Sequence, residues 1–184
     1  YTPLEFPRQK RAQWAALPID DELLTWQRLD VGLAAGKNGV PAAIKAIWAD
    51  PFLFRAGGRT FVTFKESDGL ICQAQSADLL SWKAVGHIEG AEGECPNLFA
   101  LEDRHVLIRS TYPISYLVGN FDPDRIDFCA RGEAQVMDYG YDDDEIPYAD
   151  MARGLYGTTV FADARGRTIE QRVHHPLDIR EESR

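Results

Sequence analysis

No apolar run in these 184 residues approaches the roughly 18 needed to cross a bilayer, and the N-terminus lacks the basic-then-apolar pattern of a secretory leader. A membrane partner is therefore not expected, and the chain reads as soluble, either cytoplasmic or secreted. Residue 1 is Tyr rather than Met, which suggests a processed or cut chain and leaves a lost leader open. Lys and Arg number 20 against 29 Asp and Glu, for a net charge of −9, and nowhere form a block. A phosphate backbone needs a basic track, so nucleic acid is excluded as a partner class. Cysteine is sparse. Cys72, Cys95 and Cys129 are odd in number and widely spaced, giving neither a disulfide framework nor a CxxC metal motif, so free thiols and no metal or cofactor are expected. Ser110, Ser115 and His105 stand in no nucleophile elbow, and serine hydrolysis has no support.

Helical patterning is nearly absent too; only Asp20 to Leu29, with Asp20 or Asp21 as a cap, reads as a short helix. What dominates is period-2 alternation broken by tight turns. Phe52 to Arg55, Arg59 to Lys65, Leu70 to Gln75 and Trp82 to Val85 form one set of four strands. Asn97 to Leu101, His105 to Arg109, Ile114 to Val118 and Ile126 to Cys129 form a second, and Thr158 to Phe161 with Arg167 to Ile169 begins a third. Leu23-Leu-Thr-Trp26 recurs as Leu79-Leu-Ser-Trp82, and Pro51-Phe-Leu-Phe54 as Pro96-Asn-Leu-Phe99. Repeats of that spacing, each carrying four strands and an aromatic marker, predict an all-β chain of propeller blades, with a β-sandwich as the alternative.

The Pro-x-Leu-Phe repeats set Asp50 directly before one proline and Glu94 two residues before the other. First strands line a propeller's central channel, so carboxylates at their beginnings converge on one funnel, where a pair of them could flank a glycosidic bond. The alternative is a pair of surface turns that start strands.

Gly93-Glu-Cys-Pro-Asn-Leu-Phe99 resembles the Glu-Cys-Pro-Asp-Leu-Phe motif of glycoside hydrolase family 32, the β-fructosidases, and Trp48-Ala-Asp-Pro51 falls where that family has Arg-Asp-Pro. Ser115 to Asp122, Met137-Asp-Tyr-Gly140 with Tyr148-Ala149, and Thr158 to Phe161 with Gly166-Arg167 resemble later stretches in the same order, so the resemblance runs from about Trp14 to Ile169. It implies a five-bladed β-propeller of which residues 1–184 hold about three blades, without the family's C-terminal β-sandwich. The implied reaction is retaining cleavage of terminal β-fructofuranosyl linkages, as in sucrose, inulin or levan, by hydrolysis or by transfer to another sugar. Glu94 would be the general acid/base and Asp50 the transition-state stabiliser. Trp48 and Cys95 would contact the sugar, and Asp138 and Tyr139 would support the acid/base strand. Glu94 would have to hold its proton near working pH, so partial desolvation and nearby negative charge are expected around it.

Three departures bear on activity. The family's Asn-Asp-Pro-Asn-Gly type nucleophile motif does not occur, so the chain is expected to start after it. Ala49 replaces the arginine before Asp50, removing a bidentate donor. After Ile169 the family's apolar strand gives way to Glu170-Gln-Arg-Val-His-His-Pro176. A degenerate sugar-binding propeller is therefore the rival function, and a partner segment or second copy is expected to cover the open blade faces. Asp142 to Glu145 lacks EF-hand spacing and reads as a solvated loop, and His174-His175 as an exposed tail. Trp26 and Trp82, at repeated positions, are expected to pack between blades.

Overall fold

Alternating apolar and polar residues build strands through most of the chain. A computed structural model describes residues 13–33, 47–66, 69–78, 82–111, 114–137, 155–163 and 165–174, and among these every regular element is a strand. A hairpin of β1 (Gln13–Pro18) and β2 (Trp26–Leu33) comes first. The next four strands, β3 (Ile47–Ala56), β4 (Arg59–Glu66), β5 (Leu70–Ser76) and β6 (Lys83–Glu92), pair in chain order as an antiparallel meander. So do β7 (Glu94–Leu101), β8 (Arg104–Ser110), β9 (Ser115–Asp122) and β10 (Asp127–Ala130), with the short β11 (Gln135–Val136) added on β9. A last hairpin joins β12 (Leu155–Ala162) to β13 (Thr168–His174). Two four-stranded meanders followed by a third opening hairpin are consecutive propeller blades.

Strand alternation decides what lies between them. Phe61 and Ile71 point from the first blade, and Leu98, Leu107, Leu117, Phe121 and Phe128 from the second, into one shared buried core. Phe121 meets Phe54 and Phe61 edge-on, at 5.1 and 4.8 Å between ring centroids, a favoured aromatic geometry. Gln73 Nε2 donates across the same interface to the Ile126 carbonyl at 2.8 Å. The opposite face of the first blade buries Val62, Phe64, Cys72, Ala74 and Trp82. That of the second blade sets Val106, Ile108 and Ile114 against Val160 of the third. Gly119 is required where β9 meets β10, because a Cβ there would stand 2.3 Å from the Cys129 carbonyl oxygen.

Two expectations need correcting. Asp20 starts no helix; its carboxylate accepts the amides of Leu24 and Thr25 at 2.8 and 2.7 Å, closing a turn from which Trp26 pairs back to Pro18. Trp26 does not pack between blades either. It is 54% exposed and donates its indole N–H to the Leu23 carbonyl, whereas Trp82 is buried with Val62, Phe64, Cys72 and Ala74 of its own blade.

Candidate active site

Each described blade begins with the same distortion. The β3–β4 register slips across Asp50-Pro51, that of β7–β8 across Cys95-Pro96, and that of β12–β13 across Gly157-Thr158. The first residue of each pair has positive φ, at 60° for Asp50, 46° for Cys95 and 66° for Gly157. These are β-bulges, where proline is tolerated because the ladder is interrupted. Left-handed backbone at Asp50 and Cys95 is costly for residues other than glycine, and such strain collects at functional sites. Ala49 and Glu94 thus occupy equivalent places, as do Asp50 and Cys95.

Bulging turns the two starts toward each other. The Cys95 amide donates to Asp50 Oδ2 at 3.2 Å, so the Asp50 carboxylate abuts the residue after Glu94. Gly93 gives Glu94 its approach: its φ is 138°, and a Cβ would meet Thr111, Arg109 and the Ser110 carbonyl within 3.2–3.3 Å. On its other side Glu94 forms an ion pair with Lys65 Nζ, the lysine side chain 11% and the glutamate 39% exposed. The sequence led us to expect negative charge around Glu94, and the structure sets an ammonium against it as well as the Asp50 carboxylate against the next residue. The Cys95 thiol is pushed up to about 11, by burial first and the Asp50 charge second, so it is neutral at ordinary pH.

The second strand of each blade braces the start of the next. Lys65 reaches Glu94, Thr63 Oγ1 donates to the Pro96 carbonyl at 3.1 Å, and Ser110 Oγ accepts the Gly157 amide at 3.2 Å. Asn97, 3% exposed, ties the second blade to the third: Nδ2 donates to the carbonyls of Cys95 and Thr158 at 2.8 and 2.9 Å, and Oδ1 accepts the Val160 amide at 3.0 Å. Between the three starts lies a cleft of about 200 Å³, with Asp50, Cys95, Asn97 and Thr158 in its wall. The buried Thr158 Oγ1 has no hydrogen-bond partner among the described residues.

Of the residues expected from the sequence, Asp50 and Cys95 come together, and Glu94 precedes Cys95 in the chain with its carboxylate on Lys65. Trp48 lies on β3 with its side chain outside the described part, and Asp138, Tyr139, the acidic run 142–145 and His175 lie outside the described residues. Lys65, Asn97, Ser110 and Thr158 were not anticipated. The bonds that Lys65, Asn97 and Ser110 make to the next blade start span 29 to 63 residues, and no local motif marks them.

Residues 1–171 match the family described as "Glycosyl hydrolases family 32 N-terminal domain". The sucrose-6-phosphate hydrolase of Klebsiella pneumoniae is 26% identical over 166 residues, covering 76% of this chain and 34% of its own length. The chain thus spans about a third of that relative. Among solved structures, fructan 1-exohydrolase IIa of Cichorium intybus superposes with a TM-score of 0.63 at 19% identity, over 92% of this chain and 36% of that one. A Bombyx mori β-fructofuranosidase mutant in complex with sucrose gives 0.57 at 17% identity, over 86% and 38%.

Proposed function

The chain belongs to glycosyl hydrolase family 32, and from that premise we propose that it supplies the acid/base side of a site cleaving terminal β-fructofuranosyl linkages. Glu94 exchanges the proton, and Asp50 steadies the positive charge that develops on the fructosyl ring. The observation that supports this reading is the Cys95 amide donating to the Asp50 carboxylate at 3.2 Å, which sets the starts of two blades against each other with Glu94 next to the donor in the chain. The relatives differ in substrate, yet sucrose, its phosphate and fructans share a fructofuranosyl unit, so that unit is the proposed ligand. Transfer of it to a second sugar uses the same groups.

In a retaining cycle Glu94 protonates the departing glycosidic oxygen and then takes a proton from water. The Lys65 ammonium lies against the Glu94 carboxylate. Proton donation in the first step calls for that ammonium to swing away as substrate enters, which a lysine's flexible stem permits. Asp50 keeps acceptor capacity beyond the Cys95 amide for sugar hydroxyls, and its charge acts most strongly on an oxocarbenium-like transition state. In the same reading Trp48 and Cys95 touch the sugar, and Asp138 with Tyr139 backs the acid/base strand. A retaining site holds its attacking carboxylate about 5 to 5.5 Å from the acid/base group, and a partner segment or second copy completing the propeller belongs to the same proposal.

Ala49 in the family's arginine position and the Lys65–Glu94 ion pair favour a second reading, a sugar-binding propeller without turnover. Incubation with sucrose separates the two. Free fructose supports catalysis, whereas saturable fructose binding with no release supports the binding protein.

A further inference from the structure

The face of the first blade turned away from the second carries an imidazole, a thiol and a carboxylate in one place. Val62, Phe64 and Glu66 alternate along β4 with Phe61, Thr63 and Lys65, and the latter set faces the second blade, since Thr63 and Lys65 bond to Pro96 and Glu94. Cys72 pairs in register with Phe64 on one side and His87 on the other. Glu66, two residues beyond Phe64, therefore shares their face. The donor atoms of Glu66, Cys72 and His87 all lie within 4.8 Å of one another, and His87 Nε2 contacts Glu66 Oε2. Cys72 is fully buried, the Glu66 side chain is 2% exposed, and that of His87 is 39% exposed.

We propose that Glu66, Cys72 and His87 form a binding site for a thiophilic divalent cation of the zinc type, linking β4, β5 and β6. Nitrogen, sulfur and oxygen donors together suit Zn²⁺, while a thiolate disfavours Mg²⁺ and Ca²⁺. Metal–ligand lengths of about 2.0 to 2.3 Å put tetrahedral ligands roughly 3.3 to 3.8 Å apart, so small side-chain rotations close the cluster on an ion. The exposed edge of His87 leaves a fourth position to water. A cation also compensates the charge of a carboxylate held out of solvent beside a thiol. The three ligands come from three strands, 6 and 15 residues apart, which is why no CxxC-type spacing announces them.

Cobalt is the probe, because a thiolate–cobalt bond gives a near-ultraviolet charge-transfer band. Chelator-treated protein titrated with Co²⁺ should develop that band with one equivalent, and Zn²⁺ should bleach it. Cys72→Ser should abolish the band. His87→Ala, at an exposed position that leaves the fold intact by circular dichroism, should weaken Co²⁺ and Zn²⁺ binding by more than the roughly 10- to 100-fold typical of outer-shell partners. Cys129→Ser, at an exposed thiol distant in sequence, should change nothing. Absence of the band, its survival in His87→Ala, or its loss in Cys129→Ser alone would overturn the proposal.

Discussion

Replacing Asn97 by Ala removes the side chain that fastens the third blade to the second. Three hydrogen bonds of 2.8 to 3.0 Å are lost at a residue 3% exposed. The buried Val160 amide and Thr158 carbonyl stay behind without that partner at about 1 to 3 kcal/mol apiece, so a loss of about 2 to 6 kcal/mol is expected. Denaturant unfolding followed by tryptophan fluorescence measures it. Asn97→Asp gives a sharper signature. A carboxylate in that position accepts from Val160 but faces the carbonyls of Cys95 and Thr158, so the folded state favours the protonated acid. Its folded pKa then exceeds the unfolded value of about 3.9, the native state binds more protons, and stability falls as pH rises above about 4. An Ala variant less than about 1 kcal/mol weaker, or an Asp variant with the pH dependence of the parent, would refute the view that Asn97 clamps the two blades.

Gly119→Ala should cost about 1 to 3 kcal/mol or more, visible as a lowered Tm, because its Cβ would sit 2.3 Å from the Cys129 carbonyl oxygen; an unchanged Tm contradicts the β9–β10 packing. In native protein at pH 8, iodoacetamide should label the exposed Cys129 and spare Cys72 and Cys95, whose thiols are pushed up to about 12 and about 11. The thiolate fraction of Cys95 is then roughly one in a thousand, and unfolding should expose all three to label; prompt native labelling of Cys95 would show that thiol to be ionised. Lys65→Met should alter the limb of the kcat/KM pH profile that Glu94 governs, and a superimposable profile would remove Lys65 from the site.

The blades were legible because their faces alternate cleanly: Arg59 to Lys65 and His105 to Arg109 read as strands from pattern alone, and β4 and β8 extend past those bounds by one residue, at one end and at both ends respectively. Pro-x-Leu-Phe marked two of the three bulges, since proline is one of the few residues whose identity reports an interrupted ladder. The third, at Gly157-Thr158, has no proline and went unseen. Asp20 misled for a related reason, because one carboxylate can cap a helix or close a turn, and only the pairing of Trp26 with Pro18 decides between them. Lys65 and Asn97 sit in ordinary strand positions; their roles arise when blades pack, and nothing within a strand encodes which neighbour will arrive.

The central claim, that Glu94 carries the proton in cleavage of a β-fructofuranoside, is tested most directly by comparing leaving groups. Glu94→Gln in the protein that contains this chain should lower kcat on sucrose by about 10² to 10⁴-fold while fructose binding is largely kept. On an activated aryl β-fructofuranoside, whose leaving group needs no proton, the defect should shrink. Equal rates for Glu94→Gln and the parent on sucrose, or a defect of the same size on both substrates, would contradict the assignment of Glu94 as the proton donor.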